Sequence, residues 1–175
     1  LLLAVLAVLY SETTRAELVH VLVALGAKTP TRTSWDSKRL APFVERLAHA
    51  GVLHAQGLRC APELRGVLTR ALVERGEFER VAAAVESAVP GASEHVGTLS
   101  WRSVEQAVRP VRNAFYRGDV AGTVAAWKRA RATVLCRPMA MILEEFAAFE
   151  PLERFAPALL TLLGHELLTS APHEH

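Results

Sequence analysis

The chain has 175 residues, 51% of them hydrophobic and 22% charged, with a formal net charge of +2. This composition argues against a disordered chain and leaves room for one large domain or two small ones with an adequate core. Ala and Leu supply 54 residues and aromatics only 6%, which argues against a β-sandwich and predicts a mainly helical protein.

The opening run from Leu1 to Tyr10 is apolar throughout. It is half the length of a helical membrane span, no basic segment precedes it, and no small-x-small site follows it. A buried first helix is expected rather than a signal peptide. A chain that starts without Met is also expected to be a piece of a longer protein. Thr14-Arg15-Ala16-Glu17 has the S/T-x-x-E form of a capping box, so a second helix starts there. Leu18, Val21, Leu22 and Leu25 recur at the spacing of one buried face, and Gly26 is placed to end the helix in a left-handed turn. A loop with Pro30 and several Ser and Thr follows. A third helical pattern then carries Leu40, Phe43, Val44 and Leu47 on one side. Pro42 interrupts it, so the helix either starts near Ala41 or is kinked after a preliminary turn at Asp36 to Arg39.

After Ala50-Gly51, the segments Val52-Leu53-His54 and Leu58-Arg59-Cys60 read as two short strands around the turn Ala55-Gln56-Gly57. Pro62-Glu63 opens another helix. Three helices and a two-stranded hairpin in this order resemble a winged helix-turn-helix domain over residues 1–75. The stretch Leu47-Ala48-His49-Ala50-Gly51-Val52-Leu53 is similar to that family's junction between recognition helix and wing.

Internal repetition follows. Arg75-Gly76-Glu77-Phe78-x-x-Val81-x-Ala83-Ala84-Val85-x-x-Ala88 aligns without gaps on Arg117-Gly118-Asp119-Val120-x-x-Thr123-x-Ala125-Ala126-Trp127-x-x-Ala130, at an offset of 42 residues. Each resembles the turn and second helix of a tetratricopeptide-type hairpin. Ala71 and Leu72, and more closely Asn113-Ala114-Phe115-Tyr116, match the first helix. Val81 and Thr123 depart from the family's Ala, and the period exceeds its usual length. Two divergent hairpins are expected, at 62–90 and 101–132, joined by a loop from Gly91 to Ser100. Met139, Ile142, Leu143, Phe146 and Phe149, then Leu152, Phe155, Leu159, Leu160, Leu163 and Leu167 after Pro151, predict two further amphipathic helices. The expected architecture is therefore a winged helix over 1–75 and a helical hairpin domain over 76–175. Such pairings look similar to accessory regions of bacterial SNF2-type helicases or of signalling ATPases with helical repeats.

The winged-helix resemblance implies that the second helix of the helix-turn-helix enters the major groove of duplex DNA. Ser37, Lys38, Arg39 and Arg46 would face it, Thr33 and Ser34 would bond phosphates before the helix, and Gln56 and Arg59 would act from the wing. Against this, residues 1–100 hold 11 basic and 10 acidic side chains, and the wing tip carries no Lys or Arg. The alternative is a protein-interaction or oligomerisation scaffold without DNA binding.

Charge is concentrated further on. Residues 101–137 hold 8 basic against 2 acidic groups, and residues 138–175 hold 1 against 6. Arg102, Arg109 and Arg112 lie near one helix face, with Lys128, Arg129 and Arg131 on the partner helix. They are candidates for a nucleic-acid track or an acidic partner. The competing reading pairs them with Glu144, Glu145, Glu150 and Glu153 of the same chain. Leu160 and Leu163 are candidate docking residues of the Leu-rich end. Arg outnumbers Lys by 17 to 3, which fits either guanidinium recognition of phosphate or a GC-rich genome. Among the aromatics, Trp35 in its polar loop is the candidate for a partner contact.

Catalysis is not expected. His165-Glu166-Leu167-Leu168-Thr169 begins like a zincin motif but has Thr where the second imidazole must stand. There is no phosphate-binding G-x-x-x-x-G-K-[ST] and no G-x-S-x-G elbow. Cys60 and Cys136 are far apart with no C-x-x-C pair, which fits a reducing, cytoplasmic setting. No metal, cofactor or membrane is called for, and the oligomeric state is open.

Overall fold

The computed structural model describes residues 1–54, 57–89, 91–95, 98–133, 136–145 and 156–169. It is mainly helical, and its contacts cluster into two units, Leu1–Ser93 and Glu94–His175. The predicted elements Gln56, Pro90, Phe146, Phe149, Pro151, Leu152 and Phe155 lie outside the described residues, as do Glu150, Glu153 and the tail from 170.

The first unit is built around α1 (Leu2–Leu9). Val5, Leu6, Ala7, Val8 and Leu9 are all fully buried. A helix that is apolar on every side must be covered on every side. It packs against α2 (Arg15–Ala24), α4 (Pro62–Glu74) and α5 (Phe78–Ala88). Tyr10, at φ 65°, turns the chain out of α1.

The capping box forms as read. The Glu17 N–H donates to Thr14 Oγ1 at 3.1 Å, and the Thr14 N–H donates to Glu17 Oε2 at 2.9 Å. Helix α2 buries Leu18, Val21 and Leu22. It ends where Gly26, at φ +65°, lets the Ala27 N–H reach the Leu22 carbonyl at 2.9 Å.

Helix α3 (Ser37–His49) is continuous across Pro42 and does not start afresh at Ala41. Asp36 caps it by accepting the Arg39 N–H at 2.8 Å. That cap fixes the start five residues before the proline. Pro42 lies inside the helix, where it removes the N–H that would bond the Lys38 carbonyl and crowds that group, and the rest of α3 outweighs this cost. Leu40 and Val44 turn inward.

The two stretches read as strands meet through one isolated antiparallel bridge, Leu53 with Cys60, rather than a regular ladder. The His54 N–H donates to the Arg59 carbonyl at 2.8 Å, and the Ala61 N–H to the Val52 carbonyl at 3.0 Å. Val52 is also part of the turn that ends α3, and Ala61 is the N-cap of α4, so little chain remains between them to pair. A second bridge joins Thr13, between α1 and α2, to Leu58.

The predicted division after Arg75 is displaced. Helix α5 packs on α1 and α2, so the hairpin of α4 and α5 belongs to the first unit, and the boundary falls between Ser93 and Glu94. The Gly91 to Ser100 stretch, read as a loop, contains a two-stranded sheet of β1 (Ser93–His95) and β2 (Thr98–Ser100).

The second unit contains α6 (Val104–Tyr116), α7 (Val120–Thr133), α8 (Pro138–Glu144) and α9 (Pro157–Leu168). Helices α6 and α7 form a close hairpin, and α8 packs on α6, α7 and α9. The repetition seen in the sequence has a structural counterpart. Helices α4 and α6 start and end 42 residues apart, as do the starts of α5 and α7. The turns share their closing backbone bonds. Glu77 donates to Leu72 and Gly76 to Val73 in one, Asp119 to Ala114 and Gly118 to Phe115 in the other. Gly76 and Gly118 both take φ near +70°, at +67° and +70°.

Candidate nucleic-acid interface

The residues singled out on α3 are all exposed. Leu40 and Val44 are buried, so the opposite side of the helix presents Lys38, Arg39 and Arg46 to solvent, while Ser37, on the buried side by spacing, is exposed in the first turn and Thr33 is exposed before it. The Arg39 guanidinium bonds the Asp36 carboxylate at 2.9 Å and the Ser34 carbonyl at 2.9 Å, which orients it at the start of the helix. An exposed pair of this kind contributes little stability and yields readily to a phosphate. Arg46 lies 4.5 Å over the Phe43 ring, and Phe43 meets Trp35 edge-on at 5.1 Å. Trp35 is thus half-buried packing for α3 rather than a free aromatic. Pro42, Glu45, Arg46, His49 and Ala50 line an open groove along the same helix. Arg59 is half-buried beside the Leu53–Cys60 bridge, and Gln56 lies outside the described residues.

The segment between α2 and α3 carries structure that sequence reading missed. Lys28 and Ser34 form an antiparallel bridge, and the Thr29 N–H donates to the Thr33 carbonyl at 2.9 Å. Thr29 is buried, and its Oγ1 lies 3.0 Å from that of Thr31 and 2.8 Å from that of Thr33. No hydrophobic period marks such a hairpin. The only available signal is the alternation of Thr at 29, 31 and 33.

The second basic cluster divides differently from its prediction. Arg109 and Arg112 are 2% and 0% exposed and point into the second unit, so neither can serve as an outward socket. Arg112 Nη2 meets Glu145 Oε2 at 2.8 Å and its Nε donates to the same oxygen at 2.9 Å. Tyr116 donates its hydroxyl to that oxygen at 3.3 Å and stacks under the guanidinium at 4.8 Å. Charged side chains are buried only where a partner compensates their lost hydration, and the acidic end of the chain supplies it. Arg131 is half-buried, donating to the Cys136 carbonyl at 3.1 Å and Thr169 Oγ1 at 3.4 Å. Arg102 and Lys128 remain on the surface, together with Arg129.

Leu160 and Leu163 are half-buried, whereas Leu167 and Leu168, further along α9, are 55% and 79% exposed. Glu166, the acid of the broken zincin-like run, is fully buried. It accepts the N–H groups of Met139 and Ala140 at 3.0 Å each and the Trp127 indole N–H at 2.5 Å, so it caps the start of α8. Among the described residues no group of three or more His, Cys, Asp or Glu is placed to hold a metal ion. Burial pushes the Cys136 thiol above its ordinary pKa; the Glu166 charge adds to the rise, and Arg131 opposes it. The two cysteines are not joined in a disulfide, and both are buried. No helix among the described residues is long and apolar enough to cross a membrane.

No protein family, curated protein or solved structure matches the chain.

Proposed function

We propose that the first unit is a winged-helix module that binds duplex DNA through α3, and that the chain as a whole is a non-catalytic, cytoplasmic region of a larger bacterial protein. The observation that carries the reading is the outward face of α3, with Lys38, Arg39 and Arg46 exposed over a buried Leu40 and Val44, and Ser37 exposed in the first turn. The chain order supports it. A helix, a pairing segment at Thr13, two helices and the Leu53–Cys60 bridge follow one another, with Thr13 paired to Leu58. Between Lys28 and Arg59 the sequence holds six Lys or Arg against two Asp or Glu, so the near-neutral total of the first hundred residues hides a basic surface. Two buried cysteines without a disulfide agree with a reducing compartment.

In this reading the exposed cations neutralise phosphates and the α3 side chains reach base edges. The tetratricopeptide-like hairpins serve as packing and docking elements rather than as a DNA track, because Arg109 and Arg112 are committed inside the second unit. The test is binding of a fluorescent random-sequence duplex, followed by anisotropy at low and physiological salt. Lys38→Glu combined with Arg39→Glu is expected to abolish salt-sensitive binding at unchanged helicity. Parental binding by the double variant would refute the groove assignment.

A second reading, a docking scaffold, is favoured by Leu167 and Leu168 on α9, both large apolar side chains in water. Leu168→Asp is then expected to change the sedimentation coefficient of the chain, and an unchanged value would remove this reading.

A further inference from the structure

The Lys28–Ser34 hairpin carries a basic tip that the α3 reading does not use. The bridge between Lys28 and Ser34 closes it, and a 3.1 Å bond from the Thr33 N–H to Thr29 Oγ1 fastens it internally. The Arg32 N–H donates to the Thr29 carbonyl at 2.8 Å, which places Arg32 at the turn with φ 59°. That is the left-handed region, where Gly or Asn sits at lower cost than Arg. A turn selected only for its geometry would be met by Gly; what Arg adds is an outward cation. Arg32 is exposed, and its guanidinium has no hydrogen bond or ion pair among the described residues, unlike that of Arg39, which is held by Asp36.

Position supplies the rest. Only three residues separate Arg32 from Asp36, the cap of α3, so a short connection ties the tip to the helix end that carries Ser37, Lys38 and Arg39. From Lys28 to Arg46 there are five Lys or Arg and two Asp or Glu, and one of those acids, Asp36, is already paired with Arg39. Cations spread over a hairpin tip and a neighbouring helix do not converge on one small anion. They match an extended polymer with regularly spaced charges.

We propose that the Lys28–Ser34 hairpin is a second nucleic-acid contact, in which Arg32 grips the phosphodiester backbone of duplex DNA beside the groove that α3 enters. The proposal rests on the α3 reading. It predicts a contact that adds affinity without sequence preference, since phosphates carry no base identity.

Arg32→Gly is the informative variant, because Gly accepts the backbone angle and the hairpin survives the loss of the cation. Duplex affinity of the full chain is measured by anisotropy against salt for wild type, Arg32→Gly, Arg32→Lys and Lys38→Glu, with thermal unfolding recorded for each. Arg32→Gly is expected to keep or raise the unfolding midpoint, to weaken low-salt affinity about threefold to tenfold, and to flatten the log–log salt slope by about 1. Arg32→Lys is expected to restore most of that slope. Unchanged affinity and slope in Arg32→Gly, with Lys38→Glu still weakened, would overturn the hairpin contact and leave α3 standing. A drop in unfolding midpoint that accounts for the lost affinity would reduce Arg32 to a structural role. No duplex binding by the wild type at low salt would overturn both readings together.

Discussion

Arg112 and Glu145 meet at 2.8 Å with side chains 0% and 8% exposed, so a helix of the second basic cluster is fastened from within to the acidic end of the chain. Breaking a buried pair leaves the surviving charge without hydration or partner. Glu145→Ala is expected to lower the unfolding free energy by about 3 kcal/mol in urea titrations, and Arg112→Met combined with Glu145→Leu by much less. Equal losses in the two variants would show that the pair is not what holds this contact.

Glu166 satisfies three donors at once, the Met139 and Ala140 amides and the Trp127 indole. Glu166→Ala strands all three in the interior, and a loss of at least about 3 kcal/mol is expected from bonds of this charge-assisted kind. Trp127 emission should shift at the same time, because its N–H loses its acceptor. An unperturbed emission spectrum in a destabilised variant would mean the indole does not depend on Glu166.

The two inter-helix turns provide a matched experiment. An added methyl group at Gly76 or Gly118 would meet nothing within 4 Å, so Gly→Ala at either site tests backbone strain alone. Each substitution is expected to cost about 1 kcal/mol, and the two costs should agree closely. Unequal costs would show that the shared closing bonds of the two turns hide a difference in their surroundings.

Cys136 provides a pH dependence. Its thiol pKa is raised in the folded protein, so the native state favours the protonated form. The corresponding stability is complete below the pKa of the unfolded thiol and is lost as pH rises through that of the folded one. The second unit should therefore weaken at alkaline pH, and Cys136→Ala should remove that part of the dependence. Alkylation of the folded chain at mildly alkaline pH should be slow at this site, as followed by mass spectrometry.

Local chemistry was the legible part. Thr14 and Glu17 declare the start of α2, Gly76 and Gly118 declare their turns, and Pro62 stands at the first position of α4 because each signal acts within a few residues. The direction in which a polar helix face turns was not legible. Arg109 and Arg112 share a side of α6 by spacing, but spacing does not say whether that side meets water or Glu145. The unit boundary escaped for a related reason. That α5 belongs with α1 depends on contacts between residues far apart in the chain, whereas α4 and α5 are neighbours in any reading. The Thr29 to Thr33 hairpin escaped because hydroxyl-to-hydroxyl bonds leave no hydrophobic period behind them.

The covering of α1 has a consequence for how the chain is made. Of its partners only α2 follows at once; α4 and α5 are encoded far downstream, so the apolar segment Leu2–Leu9 leaves the ribosome long before Val85 exists to complete its cover. The hairpin of α6 and α7, by contrast, closes on contacts between adjacent helices as soon as Thr133 is in place. Loops that close over long stretches form slowly, and adjacent helices pair quickly. During synthesis the first unit therefore holds its stickiest helix uncovered the longest, and this is the stage at which a chaperone would have the most to bind.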